Sequence, residues 1–266
     1  GGAEVGAYLC KHDGVDNIHI TGSDKTHDAI VWGPPGPDQD KRKKEGTPVN
    51  SKPISSELGN VSPIMIVPGV WSAKEIAFQA GNVVSMMCNN ASFNCNAAKV
   101  LIFQKDWPQR GAFMDAVEAT LKSAPTRKAY YPGAAQRYDT WLAAHPDAKP
   151  LMERTDEVLP WTVARDADSS NHDDVAFTTE AFCGVLTETT LDAPDAASFL
   201  NAAVDYCNNH IWGTLNCSVV VSPKTLKEPG MAATLETAIA NLKYGTVAIN
   251  HWAALAYGLV VTTWGA

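Results

Sequence analysis

The segment Ile64-Met65-Ile66-Val67 and the segment Ser72-Ala73-Lys74-Glu75 that follows it decide the fold class. The first is a short apolar run of the kind that forms a buried strand. The second is a capping box, in which the side chains of Ser72 and Glu75 each satisfy a free amide at the start of a helix. A strand that leads into a helix with one apolar face predicts a β-α unit of a parallel sheet. The apolar face consists of Ile76, Ala77, Ala80, Val83, Val84 and Met87.

The same alternation of strand and helix extends along the rest of the chain. Upstream, a predicted strand over 18–21 leads through Gly22-Ser23 into a helix over 24–31. Downstream, we expect a helix capped by Asp195 and another that ends in a left-handed cap at Gly245. The pattern predicts an α/β fold, with a largely parallel sheet and helices on both faces. The remaining predicted strands cover 100–103, 219–221 and 247–249, and the remaining helices cover 112–121 and 231–242.

Two stretches interrupt the alternation. Residues 33–53 contain five prolines and the basic run Lys41-Arg42-Lys43-Lys44, with no apolar period. This composition predicts a solvated loop or a linker between two lobes. Residues 123–149 carry Tyr130-Tyr131-Pro132-Gly133, which we expect to precede a short helix.

Composition excludes several classes of protein. The 266 residues are 45% hydrophobic and 19% charged, which is typical of a globular protein with a core. Lys and Arg total 21 against 29 Asp and Glu, and a net charge of -8 does not favour nucleic acid as a partner. The longest apolar run, 252–261, is about half of the length that spans a bilayer, so no membrane segment is predicted. The first residues do not resemble a secretory signal, and a cytoplasmic location is the expectation.

The cysteines and histidines indicate neither a disulfide framework nor a metal site. The six cysteines include no Cys-x-x-Cys pair, and they are few for a disulfide scaffold of this length. The seven histidines show no ligand spacing, so no metal is expected. Cys95 lies between the capped helix and the strand at Val100, among small polar residues. A reachable thiolate there would be a strong nucleophile, whereas the alternative is a buried structural thiol.

Three further segments are candidates for chemistry. Glu57 follows the polar stretch and precedes a predicted strand, where it is either a general base or a surface carboxylate. Gly22-Ser23 lies where a strand turns into a helix, so the amides of that turn can hold an anion. Glu180-Ala181-Phe182 lies in a loop before the strand at Val185 and is uninformative by itself.

Taken together and in order, these segments resemble the motifs of the aldehyde dehydrogenase superfamily. Thr21-Gly22-Ser23 resembles the end of the family's Phe-Thr-Gly-Ser turn, and Glu57-Leu58-Gly59 resembles its Glu-Leu-Gly-Gly motif. Cys95 falls where the family places its nucleophile. Glu180-x-Phe182 is similar to the family's Glu-x-Phe motif, and the sequence over 245–250 is similar to its Gly-x-Val-x-x-Asn run.

The resemblance implies a role for each of these residues. Cys95 would be the nucleophile, with Cys88 as the fallback, and Glu57 would be the general base. Asn250 would belong to the substrate site, with Trp252 and Leu255 as walls of the aldehyde tunnel, although core packing explains these two apolar residues equally well. The residues expected to bind the cofactor are Gly22, Ser23, Leu58, Gly59, Glu180 and Phe182.

The implied reaction is the oxidation of a small-molecule aldehyde to a carboxylic acid, with NAD or NADP as cofactor and a thioester on the cysteine as intermediate. Two alternatives stay open. The spacing from Cys95 to Lys99 resembles that of the coenzyme-A-acylating branch. Departures from the family motifs at His27, Asn60 and Ser92-Phe93 suggest instead a dehydrogenase-derived binding or structural protein without catalysis.

The resemblance also implies that the chain is a fragment, incomplete at both ends. Residues 1–57 would be the second part of a Rossmann-like coenzyme-binding domain, and residues 58–266 the catalytic α/β domain. The full-length protein is expected to be a homo-oligomer. The fragment alone is expected to be less active than the whole enzyme, or inactive.

Overall fold

The computed structural model describes residues 2–261, and the chain divides into two compact units between Gly59 and Asn60. The boundary expected from the sequence, between 57 and 58, lies two residues earlier. The division does not test which unit binds coenzyme and which performs chemistry, so those assignments stay predictions.

The first unit is a small α/β arrangement around two parallel strands. Strand β1 pairs with strand β2 so that Thr21 lies opposite Glu57. The strand-turn-helix predicted around Gly22-Ser23 is confirmed, because the Ser23 side chain caps the helix by accepting from the Thr26 amide. The elements are α1 (Ala3–Lys11), β1 (Ile18–Thr21), α2 (Asp24–Trp32), α3 (Pro37–Glu45) and β2 (Ile54–Glu57).

The prediction of a loop over 33–53 was wrong, because this stretch contains helix α3. Pro37 occupies the first turn, where its missing N–H costs nothing, and Gly46 closes the helix in the left-handed conformation. The basic run lies in the last turn, where positive charge complements the helix dipole. Gln39 is the buried residue of this helix, so no apolar period marked it in the sequence. Glu57 is the last residue of β2, and it precedes the next strand, Ser62–Ile66, as predicted.

The second unit is built on a seven-stranded sheet with the order β5-β6-β7-β4-β3-β8-β9. Every neighbouring pair is parallel except β5 with β6. The strands are β3 (Ser62–Ile66), β4 (Ala98–Gln104), β5 (Lys149–Pro150), β6 (Thr162–Ala167), β7 (Val185–Leu191), β8 (Asn216–Val220) and β9 (Thr246–Ile249).

Helices cover both faces of this sheet, so the predicted α/β fold is confirmed. Ile64 and Phe103 face one side, where they pack with α4 and α5. Met65 and Ile102 face the other side, where they pack with α8 and α9. The helices are α4 (Ala73–Cys88), α5 (Arg110–Ser123), α6 (Ala134–Ala144), α7 (Val175–Thr178), α8 (Ala196–His210) and α9 (Met231–Asn241). Short 3-10 turns cover Asn89–Ser92, Thr225–Lys227 and Ala253–Leu259.

The predicted helix starts are confirmed, but one predicted helix end is wrong. Ser72 and Glu75 form the reciprocal capping box of α4, and Asp195 caps α8 by accepting from the Ser198 amide. Helix α9 instead ends at Asn241, and Leu242 after it is extended. Gly245 is not a left-handed cap: its amide donates to the Thr214 carbonyl at 2.8 Å and leads the chain into β9. Among residues 2–261, no helix combines the length and the apolar character needed to cross a bilayer.

Candidate active site

Cys95 and the Glu180-Phe182 loop, two of the predicted functional segments of the second unit, lie along one edge of its sheet. Strands β3, β4, β7 and β8 are neighbouring or near-neighbouring parallel strands, so all of them begin at the same edge. The chain reaches that edge through the segment before each strand. Asn60 precedes β3, Cys95 precedes β4, and Glu180 and Phe182 precede β7.

The segment that leads into the turn carrying Cys95 has an unusual backbone. Asn90, Ala91 and Ser92 follow one another at φ values of 52°, 57° and 67°, in the left-handed region that residues other than glycine rarely enter. Holding a residue other than glycine in this conformation costs roughly 1–3 kcal/mol of folding free energy, and such residues tend to cluster at functional sites. The Asn90 side chain holds the turn by donating to the carbonyl of Phe93 at 3.1 Å and to the hydroxyl of Tyr130 at 2.9 Å.

Cys95 is half-buried in this turn, and its position is fixed by two neighbours. The Ser62 hydroxyl donates to the Cys95 carbonyl at 3.1 Å, and the Asn96 side-chain amide donates to Sγ at 3.4 Å. Cys88, the fallback, lies in the last turn of α4, and burial raises the pKa of its thiol to about 12. Because the thiolate is the nucleophile, Cys88 is the less suitable of the two.

Lys99 is a buried cation behind the Cys95 turn that the sequence analysis did not single out as functional. Only 4% of its surface is exposed, and Nζ donates to the Ser92 hydroxyl at 2.5 Å and to the Cys183 carbonyl at 2.7 Å. It thereby joins the left-handed turn to the loop before β7. Burial lowers the pKa of Lys99 to about 8. A lysine within an otherwise apolar strand was the signal available in the sequence.

The Glu180-Phe182 loop is held next to this turn. Asn60 donates its backbone amide to Glu180 Oε1 at 3.4 Å. The Phe182 ring lies 6.0 Å from the Phe93 ring, centroid to centroid, and the Arg137 guanidinium lies over the Phe182 ring, 5.9 Å from its centroid. Phe182 itself has a left-handed φ of 44°. The structure therefore brings the Glu180-Phe182 loop close to the segment that carries Cys95.

A buried polar network fastens the Cys95 turn to the sheet. Ser62 Oγ accepts from the side-chain amides of Asn60 at 3.2 Å and Asn216 at 3.0 Å, while it donates to the Cys95 carbonyl. Asn60 also donates to the Asn216 carbonyl at 3.0 Å. Asn60 stands where the family motif has a glycine, and Asn216 carried no motif that could have identified it.

The three predicted substrate residues occupy different surroundings. Trp252 donates its indole N–H to the Asn96 carbonyl at 2.7 Å, which places it against the Cys95 turn. Asn250 brackets the backbone of Val221, which follows β8, and so lies toward the carboxyl ends of the strands. Leu255 is 58% exposed. The structure therefore brings only Trp252 of the three to the residue beside Cys95.

The remaining candidates belong to the first unit. The Gly22 amide donates to the Glu57 carbonyl at 3.0 Å, so the Gly22-Ser23 turn adjoins the end of β2. Leu58 and Gly59 follow as half-buried residues. The Ser23 hydroxyl and the amides of the first turn of α2 are donors that suit a phosphate, although the Asp24 carboxylate in the same turn weakens the attraction. Within residues 2–261, no group of three or more His, Cys, Asp or Glu side chains is arranged to hold a metal ion.

Neither the family models nor the curated proteins include a match to this chain. Solved structures do match. The NADP-dependent glyceraldehyde-3-phosphate dehydrogenase from Bacillus halodurans superposes with a TM-score of 0.73 at 17% identity, over 95% of this chain and 48% of that one. Lactaldehyde dehydrogenase from Escherichia coli matches with a TM-score of 0.69 at 18% identity, over 93% and 48% of the two chains.

A third structure, the glyceraldehyde-3-phosphate dehydrogenase from Methanocaldococcus jannaschii in complex with NADP, gives a TM-score of 0.70 at 17% identity and covers 95% of this chain and 50% of that one. The chain thus has the fold of aldehyde dehydrogenases and spans about half the length of the solved structures that it matches.

Proposed function

We propose that this chain forms part of an NAD(P)-dependent aldehyde dehydrogenase that oxidises an aldehyde to a carboxylic acid. The observation that carries the proposal is the half-buried Cys95, which follows the left-handed stretch Asn90–Ser92 and has the Asn96 amide directed at its sulfur, within the aldehyde dehydrogenase fold. Cysteine suits the reaction because its thiolate is a strong nucleophile and also leaves readily from a thioester.

In the first step, the Cys95 thiolate uses a lone pair to form a C–S bond with the aldehyde carbon. The C=O π electrons move onto the oxygen and give a thiohemiacetal anion. A nicotinamide cofactor, when bound, supplies the acceptor for the hydride that leaves as the C=O bond forms again. Cys95 then carries the acyl group as a thioester.

Glu57 is proposed as the general base of the second step. Its carboxylate takes a proton from water while the water oxygen bonds to the acyl carbon. The C–S bond breaks, its electron pair returns to the Cys95 sulfur, and the carboxylic acid is released. If coenzyme A replaces water, the product is an acyl-coenzyme A instead, which is the acylating alternative.

The residues proposed to hold the cofactor are those that carry the motifs resembling the family's. Gly22 and Ser23 offer donors for the phosphates, with Leu58 and Gly59 beside them. Glu180 would position the ribose and Phe182 the ring, and the closeness of these two residues to the Cys95 turn supports this assignment. On the substrate side, Trp252 is the best supported residue because it contacts Asn96. Asn250 and Leu255 are proposed from the resemblance alone.

A second candidate function is binding without catalysis. Asn60, at a glycine position of the family motif, is buried in the network that fixes Cys95, so this departure has a structural role rather than reflecting decay of the site. We therefore rank the silent protein below the enzyme.

The experiment is a comparison of Cys95→Ala with Cys88→Ala in the full-length protein. Nucleotide reduction is followed with a panel of aldehydes, with and without coenzyme A. Cys95→Ala should abolish turnover, whereas Cys88→Ala should retain most of it. An unchanged rate in Cys95→Ala contradicts the proposal, and no binding heat with either NAD+ or NADP+ would favour the silent protein.

A further inference from the structure

Asn96, the residue after Cys95, presents its side chain to the predicted nucleophile. Its side-chain nitrogen lies 3.4 Å from Cys95 Sγ, within the range of an N–H···S hydrogen bond. Only 5% of Asn96 is exposed, so this amide is shielded from water. A donor at this distance acts on the sulfur atom itself.

The backbone of Asn96 is fixed on both sides. Its N–H donates to the Asn94 side-chain oxygen at 2.8 Å, and its carbonyl accepts from the Trp252 indole at 2.7 Å. Because Trp252 packs beside the cluster formed by α4, α5 and the sheet, this second bond ties the Cys95 turn to the core. The side chain is consequently directed at the sulfur by a backbone that has little freedom to move.

Fold stability does not explain why a buried asparagine stands here. Its side-chain oxygen is buried without a hydrogen-bond partner among residues 2–261. A buried polar atom left unpaired costs free energy that an apolar side chain of similar size would not. Among residues 2–261, the one hydrogen bond of this side chain is to Cys95 Sγ. The benefit that offsets the cost of the unpaired oxygen therefore acts on the Cys95 sulfur.

We infer that Asn96 is a catalytic residue whose side-chain N–H donates a hydrogen bond to the Cys95 thiolate. The inference rests on the proposed function of Cys95. A neutral thiol is a weak acceptor, whereas a hydrogen bond to an anionic acceptor is shorter and stronger. The Asn96 amide therefore stabilises the thiolate more than the thiol and increases the fraction of Cys95 that is ready to attack.

The test measures the reactivity of Cys95 without aldehyde or nucleotide. The second-order rate constant for alkylation by iodoacetamide is determined at pH 7, and peptide mapping by mass spectrometry assigns the label to Cys95. Asn96→Leu removes the donor at similar volume and Asn96→Ala removes it by truncation. Asn82→Ala is the matched control, because Asn82 lies within α4 and bonds to Gln79 instead. Urea unfolding of each variant establishes that it is folded.

We expect alkylation of Cys95 to slow about tenfold in both Asn96 variants and to stay within twofold in Asn82→Ala. In the full-length enzyme, kcat should fall by a similar factor while KM changes little. Folded Asn96 variants that are alkylated as fast as the parent overturn the inference. If the variants slow alkylation but no form of the protein oxidises an aldehyde, the proposed function fails while the hydrogen bond to the thiolate stands.

Discussion

Replacing Lys99 with methionine tests the charge buried behind the Cys95 turn. The variant keeps a long unbranched side chain but removes the ammonium group that donates to Ser92 and to the Cys183 carbonyl. The lysine is 4% exposed, and burial lowers its pKa from 10.5 to about 8. The folded protein therefore releases a proton at a pH where the unfolded chain still holds it.

The pKa difference sets the sign and size of the effect. Between about pH 8 and 10.5, the unfolded state binds more protons at Lys99 than the folded state does, so the free energy of unfolding rises with pH in that window. Each pKa unit corresponds to about 1.4 kcal/mol, which gives a total gain of about 3 kcal/mol for the parent protein. Methionine cannot titrate, so the variant lacks this gain.

The assay is urea unfolding of the parent and Lys99→Met at intervals from pH 7 to 10.5. The stability of the parent minus that of the variant should rise by about 3 kcal/mol across the window, because the other titrating groups contribute equally to both. Lys122→Met, at an exposed position near the end of α5, is the control for the removal of a lysine. A flat difference for Lys99→Met would refute a buried, destabilised ammonium.

Three further perturbations probe the rest of the second unit by urea unfolding. Burial raises the pKa of Glu188 to about 7 despite Arg110 at 3.3 Å, so the stability of the parent minus that of Glu188→Gln should fall as the pH rises from about 4.5 to 7; a difference that does not change with pH would contradict the buried carboxyl. Phe103→Ala should cost about 3–5 kcal/mol, since Phe103 is fully buried against α5, and a cost below 1 kcal/mol would contradict this packing. Asn60→Gly restores the residue of the family motif but removes one of the two donors to the Ser62 hydroxyl and the Asn60 donor to the Asn216 carbonyl, so it should destabilise by about 1–3 kcal/mol; a gain in stability would argue against the network.

Helix caps and runs of apolar residues were sufficient to predict most of the sheet and its helices. The capping box at Ser72 and the apolar runs of β3 and β4 mark their elements directly, because strands buried on both faces are continuously apolar. Helix α3 escaped prediction because it is almost wholly exposed, and its only sequence signals were Pro37 at the start and Gly46 at the end. An absence of apolar periodicity therefore does not exclude a short, charged helix.

The places of Cys95 before β4 and of the Glu180-Phe182 loop before β7 were predictable, whereas the roles given to these residues stay predictions. The residues that fix these two segments were not predictable. Asn60 and Asn216 lie 156 positions apart in the sequence, and their hydrogen bonds exist only because β3 and β8 are neighbours. Lys99 was visible as a charge in an apolar strand, but its partners follow from the fold alone. Asn250 carried a motif, yet its side chain bonds to the Val221 backbone.

The most direct test of the central claim is to trap the acyl group on Cys95. The full-length protein is mixed with an aldehyde and NAD+ or NADP+, quenched in acid within one turnover, digested, and analysed by mass spectrometry. Our account predicts that the peptide containing Cys95 gains the mass of the aldehyde less two hydrogens, and that Cys95→Ala loses this adduct together with nucleotide reduction. Nucleotide reduction that continues in Cys95→Ala, or an acyl group found on Cys88 instead, would contradict it.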